Sequence, residues 1–266
     1  MDSEITPIIV KLGGSVVTIK ERPFTPNNRA IARLAEELRR ADVKSLIVIH
    51  GGGSFGHPPA KEYAIAEGYK NPEQLVGFSK THRAMVVLNR LVVDALIQQS
   101  IPAVGVQPSA FIMTRKGRIS DLNSALILRM LEMNLVPVLY GDAVLDVEQG
   151  FSILSGDQLM VSLAISLESR QIIIGVDVDG LYTADPKLHA DAKLIEDTSL
   201  VELKTFLGKI GKSMAVDVTG GMYGKIAELI PALERGIEAK IINARKANRL
   251  CKALMNQEVR GTRIKN

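Results

Sequence analysis

With 266 residues, 46% of them hydrophobic and 23% charged, the chain has enough apolar mass for one large α/β domain or two closely fused lobes. The net charge of +4 is scattered, and its densest spots, Arg39-Arg40 and Lys80 to Arg83, are too short for a nucleic-acid stripe; the absence of Trp argues against a base-stacking platform. One cysteine, Cys251, excludes a disulfide framework or zinc ribbon and fits a reducing cytoplasm, while no apolar run approaches the roughly 18 residues of a membrane helix and Met1-Asp2-Ser3-Glu4 lacks the basic region of a signal peptide.

Strand-like and helical patterns alternate along the chain. Ile8–Lys11 reads as a buried strand. Thr25-Pro26 then offers an N-cap with Pro at the first helical position, and Ala30, Ile31, Leu34, Ala35 and Leu38 follow on one helical face. Leu46–Ile49 is a second strand, Leu75–Gln99 a long helix and Ala103–Val106 a short strand. Leu122–Met133 is read as helix, Val136–Tyr140 as strand, and Ala143–Val147 with Phe151–Leu154 as a hairpin turned at Gly150. Asp157–Leu167 is helical, Gln171–Val176 a buried strand, Ile226–Leu233 a helix, Lys240–Asn243 a strand and Arg245–Met255 a last helix. Alternating β and α elements predict a mainly parallel central sheet with helices on both faces. Without a repeat or linker, residues 1–266 read as one unit, with a division into lobes near Leu154-Ser155-Gly156.

The chemistry concentrates in glycine loops. His50-Gly51-Gly52-Gly53-Ser54-Phe55-Gly56-His57 follows the second strand, and Lys11-Leu12-Gly13-Gly14-Ser15 leaves the first. Such loops bring backbone N–H groups close to a charged ligand. With a lysine in one and a histidine ending the other, they point to a site for two phosphates. Asp177-Val178-Asp179-Gly180-Leu181-Tyr182 puts acids and a tyrosine at the carboxyl end of a strand, where open α/β sheets bind ligands. Thr219-Gly220-Gly221-Met222-Tyr223-Gly224-Lys225 is a further glycine turn before a helix whose N-terminus favours phosphate. Ser155-Gly156-Asp157 opens another helix.

Other readings of these motifs fail. Gly211-Lys212-Ser213 and Gly224-Lys225 lack the first glycine of a Walker A loop, having Phe206 and Thr219 at that position. Gly52-Gly53-Ser54-Phe55-Gly56 matches a hydrolase nucleophile elbow, but the overlapping His-Gly-Gly-Gly stretch would have to form the oxyanion loop as well, and His189 is the only late histidine. His50, His57, His82 and His189 have no metal-ligand spacing, so no protein-bound metal is expected. His82, beside Lys80 and Arg83, reads as part of a solvated helix face.

The ordered set of motifs resembles the amino acid kinase superfamily from Lys11 to about Gly261. Gly52 to His57, Gln107-Pro108-Ser109-Ala110, Tyr140-Gly141-Asp142, Ser155-Gly156-Asp157 and Glu258-Val259-Arg260-Gly261-Thr262 are similar to its isopentenyl phosphate kinase branch. The resemblance implies a three-layer αβα sandwich with a phosphate-acceptor lobe (1–154) and a nucleotide lobe (155–266). It implies transfer of the γ-phosphoryl of ATP to isopentenyl phosphate, with Mg2+ carried on the nucleotide, in a cytoplasmic homodimer. Lys11, Lys20, His57 and Asp157 would be catalytic. Lys11, Leu12, Gly13, Gly14, Ser15, Gly53, Asp179, Gly221 and Lys225 would bind ATP. Gly52, His57 and Gly156 would hold the acceptor, and its tail pocket would be lined by Phe78 and Thr81, on a helix whose Leu75 and Val76 also suit a short apolar tail, and by Ala143 and Ile153 of the hairpin. Two alternatives stand beside this reading: a kinase for a carboxylate or phosphonate acceptor such as fosfomycin, and an ATP-binding sensor that transfers nothing. A carboxylate should call for an arginine fork near the loop, where His57 stands instead, and the retained lysines speak against the sensor.

Overall fold

The computed structural model describes residues 5–186, 188–208 and 222–265. The first half of the chain forms β1 (Ile8–Leu12), α1 (Gly14–Val17), α2 (Asn28–Ala41), β2 (Leu46–His50), α3 (Gly53–Glu62), α4 (Glu73–Gln98), β3 (Ala103–Gly105), β4 (Ile112–Arg115), β5 (Arg118–Leu122), α5 (Ala125–Glu132), β6 (Val136–Tyr140), β7 (Asp142–Asp146) and β8 (Gly150–Leu154). The second half forms α6 (Gly156–Ser166), β9 (Gln171–Val176), β10 (Leu181–Tyr182), β11 (Leu194–Ile195), β12 (Asp197–Ser199), α7 (Met222–Leu233), β13 (Glu238–Asn243), α8 (Arg249–Leu254) and β14 (Gly261–Lys265).

An eight-stranded sheet in the order β12-β14-β13-β9-β1-β2-β6-β3 runs through both halves. Its pairings are parallel apart from that of β13 with β14. The central strands are continuous apolar runs because both of their faces are covered. Successive side chains point to opposite faces, so each run feeds two cores. Ile8, Val10, Val48 and Ile173 pack with Leu34 and Leu38 of α2, Leu88 and Val92 of α4 and Leu250 of α8. Ile9, Ile47, Ile49, Ile172 and Ile174 pack on the other side with Ile127 of α5, Leu159 and Leu163 of α6 and Leu229 of α7. Truncating any one of these isoleucines to Ala would cost about 2–5 kcal/mol. The result is the expected αβα sandwich.

A second, four-stranded sheet, β5-β4-β7-β8, stands beside the main one. Asp146 joins its two turns. Its carboxylate accepts the backbone N–H groups of Lys116, Gly117, Glu148 and Gln149 and the Thr114 hydroxyl. Burial alone would raise this carboxyl; the donors hold it well below the usual carboxylate range.

Several boundaries differ from the sequence reading. α2 starts at Asn28, capped by the Asn27 side chain, which accepts from Ala30 N at 3.2 Å, rather than by Thr25 ahead of Pro26. Leu122, read as helical, ends a β4–β5 hairpin that the pattern did not reveal, because β5 is mostly exposed and carries no apolar alternation. The final helix begins only at Arg249. Glu37 of α2 reaches across to accept the N–H groups of Leu250 and Cys251 there, a long-range cap with no local signal.

Candidate active site

The two glycine loops cross backbone against backbone at the carboxyl ends of β1 and β2. Gly13 N donates to Gly175 O at 2.7 Å and Gly51 N to Leu12 O at 2.9 Å. A Cβ at Gly14 would lie 2.3 Å from Gly53 N. At Gly53, where φ is +47°, a Cβ would meet the Thr18 hydroxyl at 2.2 Å. Thr18 stitches the crossing together, donating to Gly14 O at 2.7 Å and accepting from Ser54 N at 3.0 Å. These two positions therefore admit only glycine.

The crossing forms the floor of a cavity of about 560 Å³. Lys11, Lys20, Lys225 and His57 all reach its wall, with Gly13, Gly14, Ser15, Gly52, Gly53, Gly156 and Asp157. Lys11 is 4% exposed and donates to Asp157 Oδ1 at 2.7 Å. Burial lowers the pKa of its ammonium, Asp157 opposes that, and the charge on Lys225 adds to the lowering. Asp157 sits in the first turn of α6, whose N-cap Ser155 accepts from Gln158 N at 3.1 Å. Burial also lowers the His57 pKa, and Lys225, Lys20 and Lys11 lower it further. Burial first, and then the three ammonium groups, thus favour the neutral imidazole, and an anion bound beside it would offset the positive field.

The sequence-predicted set is only partly brought together here. His57 does not end a loop: it lies inside α3, which starts at Gly53 and admits Pro58 and Pro59 soon after, so the glycine stretch is itself a helix N-terminus. The Leu12 side chain lies in the core, leaving its backbone to the site. Asp179 does not line the cavity. Asn243, Arg249 and Arg260 hold its carboxylate at 2.8–3.0 Å; burial would raise its pKa, but these partners lower it. Asp177, Val178, Tyr182 and Asp185 form that wall instead. Thr81 and Ile153 reach the cavity, whereas Phe78 and Ala143 stand one layer behind it in an apolar cluster with Ile65 and Phe151. Leu75 and Val76 face outward, more than half exposed. Gly221 lies outside the described residues.

His82 is not on a solvated face. Its Nδ1 donates to the buried Asp142 carboxylate at 3.0 Å. Asp142, Gly56 and Met85 are cavity residues that sequence reasoning did not select; Tyr140-Gly141-Asp142 was visible as a motif, but its partner lies 60 positions away on α4. His50, fully buried and stacked on Tyr140, accepts from Asn89 Nδ2 at 3.2 Å, and burial lowers its pKa to about 4.

An αβα sandwich with glycine loops, a buried lysine paired with an aspartate and a clustered cationic field at the strand ends describes a small-molecule phosphotransferase site, and the chain belongs to the amino acid kinase family, whose pattern it matches over residues 6–243. Within that family it is 46% identical to isopentenyl phosphate kinase of Methanothermobacter thermautotrophicus, covering 97% of this chain and 98% of the relative. The isopentenyl phosphate kinase of Methanocaldococcus jannaschii is 37% identical, with 96% and 97% covered. An X-ray structure of isopentenyl phosphate kinase superposes with a TM-score of 0.85 at 43% identity, over 97% of this chain and 99% of that one.

Proposed function

We propose that this protein transfers the γ-phosphoryl group of ATP to isopentenyl phosphate, giving isopentenyl diphosphate and ADP. The observation that carries the reading is the Lys11–Asp157 pair at the loop crossing, in one cavity with Lys20, Lys225 and His57. The likeness to isopentenyl phosphate kinases over almost the full length supports the acceptor.

Phosphoryl transfer between two anions needs positioning and charge neutralisation more than covalent help. Asp157 orients Lys11 toward the transferring group, and Lys20 adds charge from the rim of the cavity. The Gly13-Gly14-Ser15 backbone surrounds the same phosphoryl. The acceptor phosphate sits against Gly52, Gly53, Gly156 and His57, and its arrival draws a proton onto the imidazole. The isoprenyl tail lies toward Thr81 and Ile153, with Phe78 and Ala143 supporting that wall from behind. ATP takes the side of Lys225 and the 177–186 loop, so residues 1–154 serve the acceptor and residues 155–266 the nucleotide. The acceptor is already an oxyanion, so no general base is needed.

Among the described residues no cluster of three His, Cys, Asp or Glu side chains could hold a metal ion. Mg2+ carried by the ATP phosphates, with most of its water retained, would neutralise phosphate charge. A homodimer and a cytoplasmic location complete the reading. The outer face of α4 exposes Val76, Val86 and Val87, which supports association; sedimentation equilibrium at the monomer mass would remove the dimer. No described helix is long and apolar enough to cross a membrane.

The deciding assay follows ADP release with isopentenyl phosphate, N-acetylglutamate, UMP and fosfomycin in parallel. The expected result is a kcat/KM for isopentenyl phosphate far above the others. Preference for any other acceptor, or no turnover with any, overturns the assignment.

A further inference from the structure

Behind the acceptor wall lies a charge that the reaction as described does not use. Asp142 opens β7; its side chain has no solvent exposure, and among the described residues its carboxylate accepts from His82 Nδ1, at 3.0 and 3.1 Å to its two oxygens, and from Ala143 N at 2.9 Å. The residue contributes to the cavity wall next to Thr81 and Ile153. It also belongs to a segment tied to the glycine loop: Gly141 N donates to His50 O at 3.2 Å, and Tyr140 stacks on His50 with ring centroids 5.6 Å apart. A buried carboxylate here is awkward, since an uncompensated negative charge in a low-dielectric wall repels an incoming phosphate over several ångströms.

We propose that His82 is a positioning residue for the acceptor: through its ion pair with Asp142 it fastens α4 to the Tyr140-Gly141-Asp142 segment and cancels the buried charge that would otherwise oppose acceptor binding. This rests on the reading of the acceptor as a phosphate monoester. Hydrogen bonding to Asp142 raises the His82 pKa, burial opposes this, and the Asp142 charge adds to the rise. The elements packed against α4 carry His57, Lys61 and Glu62 (α3), Glu67 (the Ile65–Glu67 turn), Tyr140 (β6) and Asp142 and Asp146 (β7), whereas α2, also packed on α4, turns Arg33, Glu37 and Arg40 to residues 244–251; α4 itself carries Lys80 and Arg83 beside His82. Of these, Asp142 alone acts on the His82 proton. Below the raised pKa the pair is neutral. As pH rises through it, the imidazolium loses its proton, the pair loses its positive member, and acceptor affinity falls.

The test combines His82→Gln, Asp142→Asn and the double variant, assayed against isopentenyl phosphate and ATP separately from pH 6 to 9. His82→Gln should raise the KM for isopentenyl phosphate about tenfold at pH 6.5, with kcat and the KM for ATP within about twofold of wild type. Adding Asp142→Asn to His82→Gln should restore most of that loss, because no charge is then left unpaired; a purely structural role predicts further loss. Asp142→Asn alone should abolish the part of the KM rise with pH that the pair produces, leaving any contribution from Lys11 and His57. Histidine NMR provides a readout free of turnover: His82 should titrate above the usual value in wild type and fall back toward it in Asp142→Asn. An unchanged acceptor KM in His82→Gln, or no rescue in the double variant, overturns the proposal while wild-type turnover of isopentenyl phosphate leaves the function standing. A wild-type enzyme inactive on isopentenyl phosphate overturns both, and the NMR titration then shows whether the ion pair itself exists.

Discussion

The two ends of the cavity are built from different materials. At the loop crossing, the geometry is set by backbone meeting backbone, with Gly14 and Gly53 too close for any Cβ and Thr18 bonding both loops. At the end we assign to the acceptor it is set by side chains from α3, α4 and the β7–β8 hairpin: His57, Thr81, Ile153 and the His82–Asp142 pair. A backbone-built surface has no rotamers to adjust and fails abruptly. A side-chain-built one can be altered piecemeal, so changes of substrate within such a fold should be concentrated there.

The largest effect should come from the crossing. Gly14→Ala places a methyl 2.3 Å from Gly53 N, and displacing both loops should lower kcat/KM on the order of 10³-fold or more, with a lowered Tm in the same preparation. A variant of near-normal activity would show that the loops are not in mutual contact. Next comes the charge that the crossing presents. Lys11→Ala should reduce kcat by about 10²–10³ while acceptor and ATP KM change little, since the lysine acts mainly as charge shifts in the transition state. Steady-state kinetics showing only a raised KM for ATP would reassign it to ground-state binding.

A smaller effect is expected at the side-chain end. His57→Ala should lower kcat/KM for the acceptor by roughly 10–150-fold, the loss of one charge-assisted hydrogen bond, with ATP binding retained. Because burial and three lysines lower the pKa of this imidazole and a bound anion would raise it again, acceptor binding to wild type should be accompanied by proton uptake. Calorimetry in buffers of different ionisation enthalpy would measure this, and equal uptake in His57→Gln would assign the proton elsewhere.

The smallest effect on the chemistry, though not on the fold, belongs to His50. Burial lowers its pKa in the folded chain to about 4, from 6.5 for an exposed imidazole, so the unfolded chain binds the extra proton between those values. Stability should therefore be fully present above about pH 6.5 and fall by about 2–3 kcal/mol as pH drops to 4.5. Urea denaturation at pH 7 and 4.5 tests this. A His50→Gln variant that keeps the same pH dependence would show that other groups are responsible.

By itself the sequence determined the sandwich and one end of its site. Continuous apolar runs such as Gln171–Val176 and the helical face Ala30 to Leu38 depend on local periodicity, and a glycine loop after a strand is written in adjacent residues; β6 and β9 accordingly match their sequence ranges residue for residue. Tertiary structure alone decided the rest. The capping of α8 by Glu37, the withdrawal of Asp179 onto Arg249 and Arg260, the retreat of Phe78 behind Ile153 and the pairing of His82 with Asp142 each join residues 60 or more apart in sequence. Burial and partner choice at such positions depend on which elements the sheet order brings together, and no local pattern in an isolated segment carries that information.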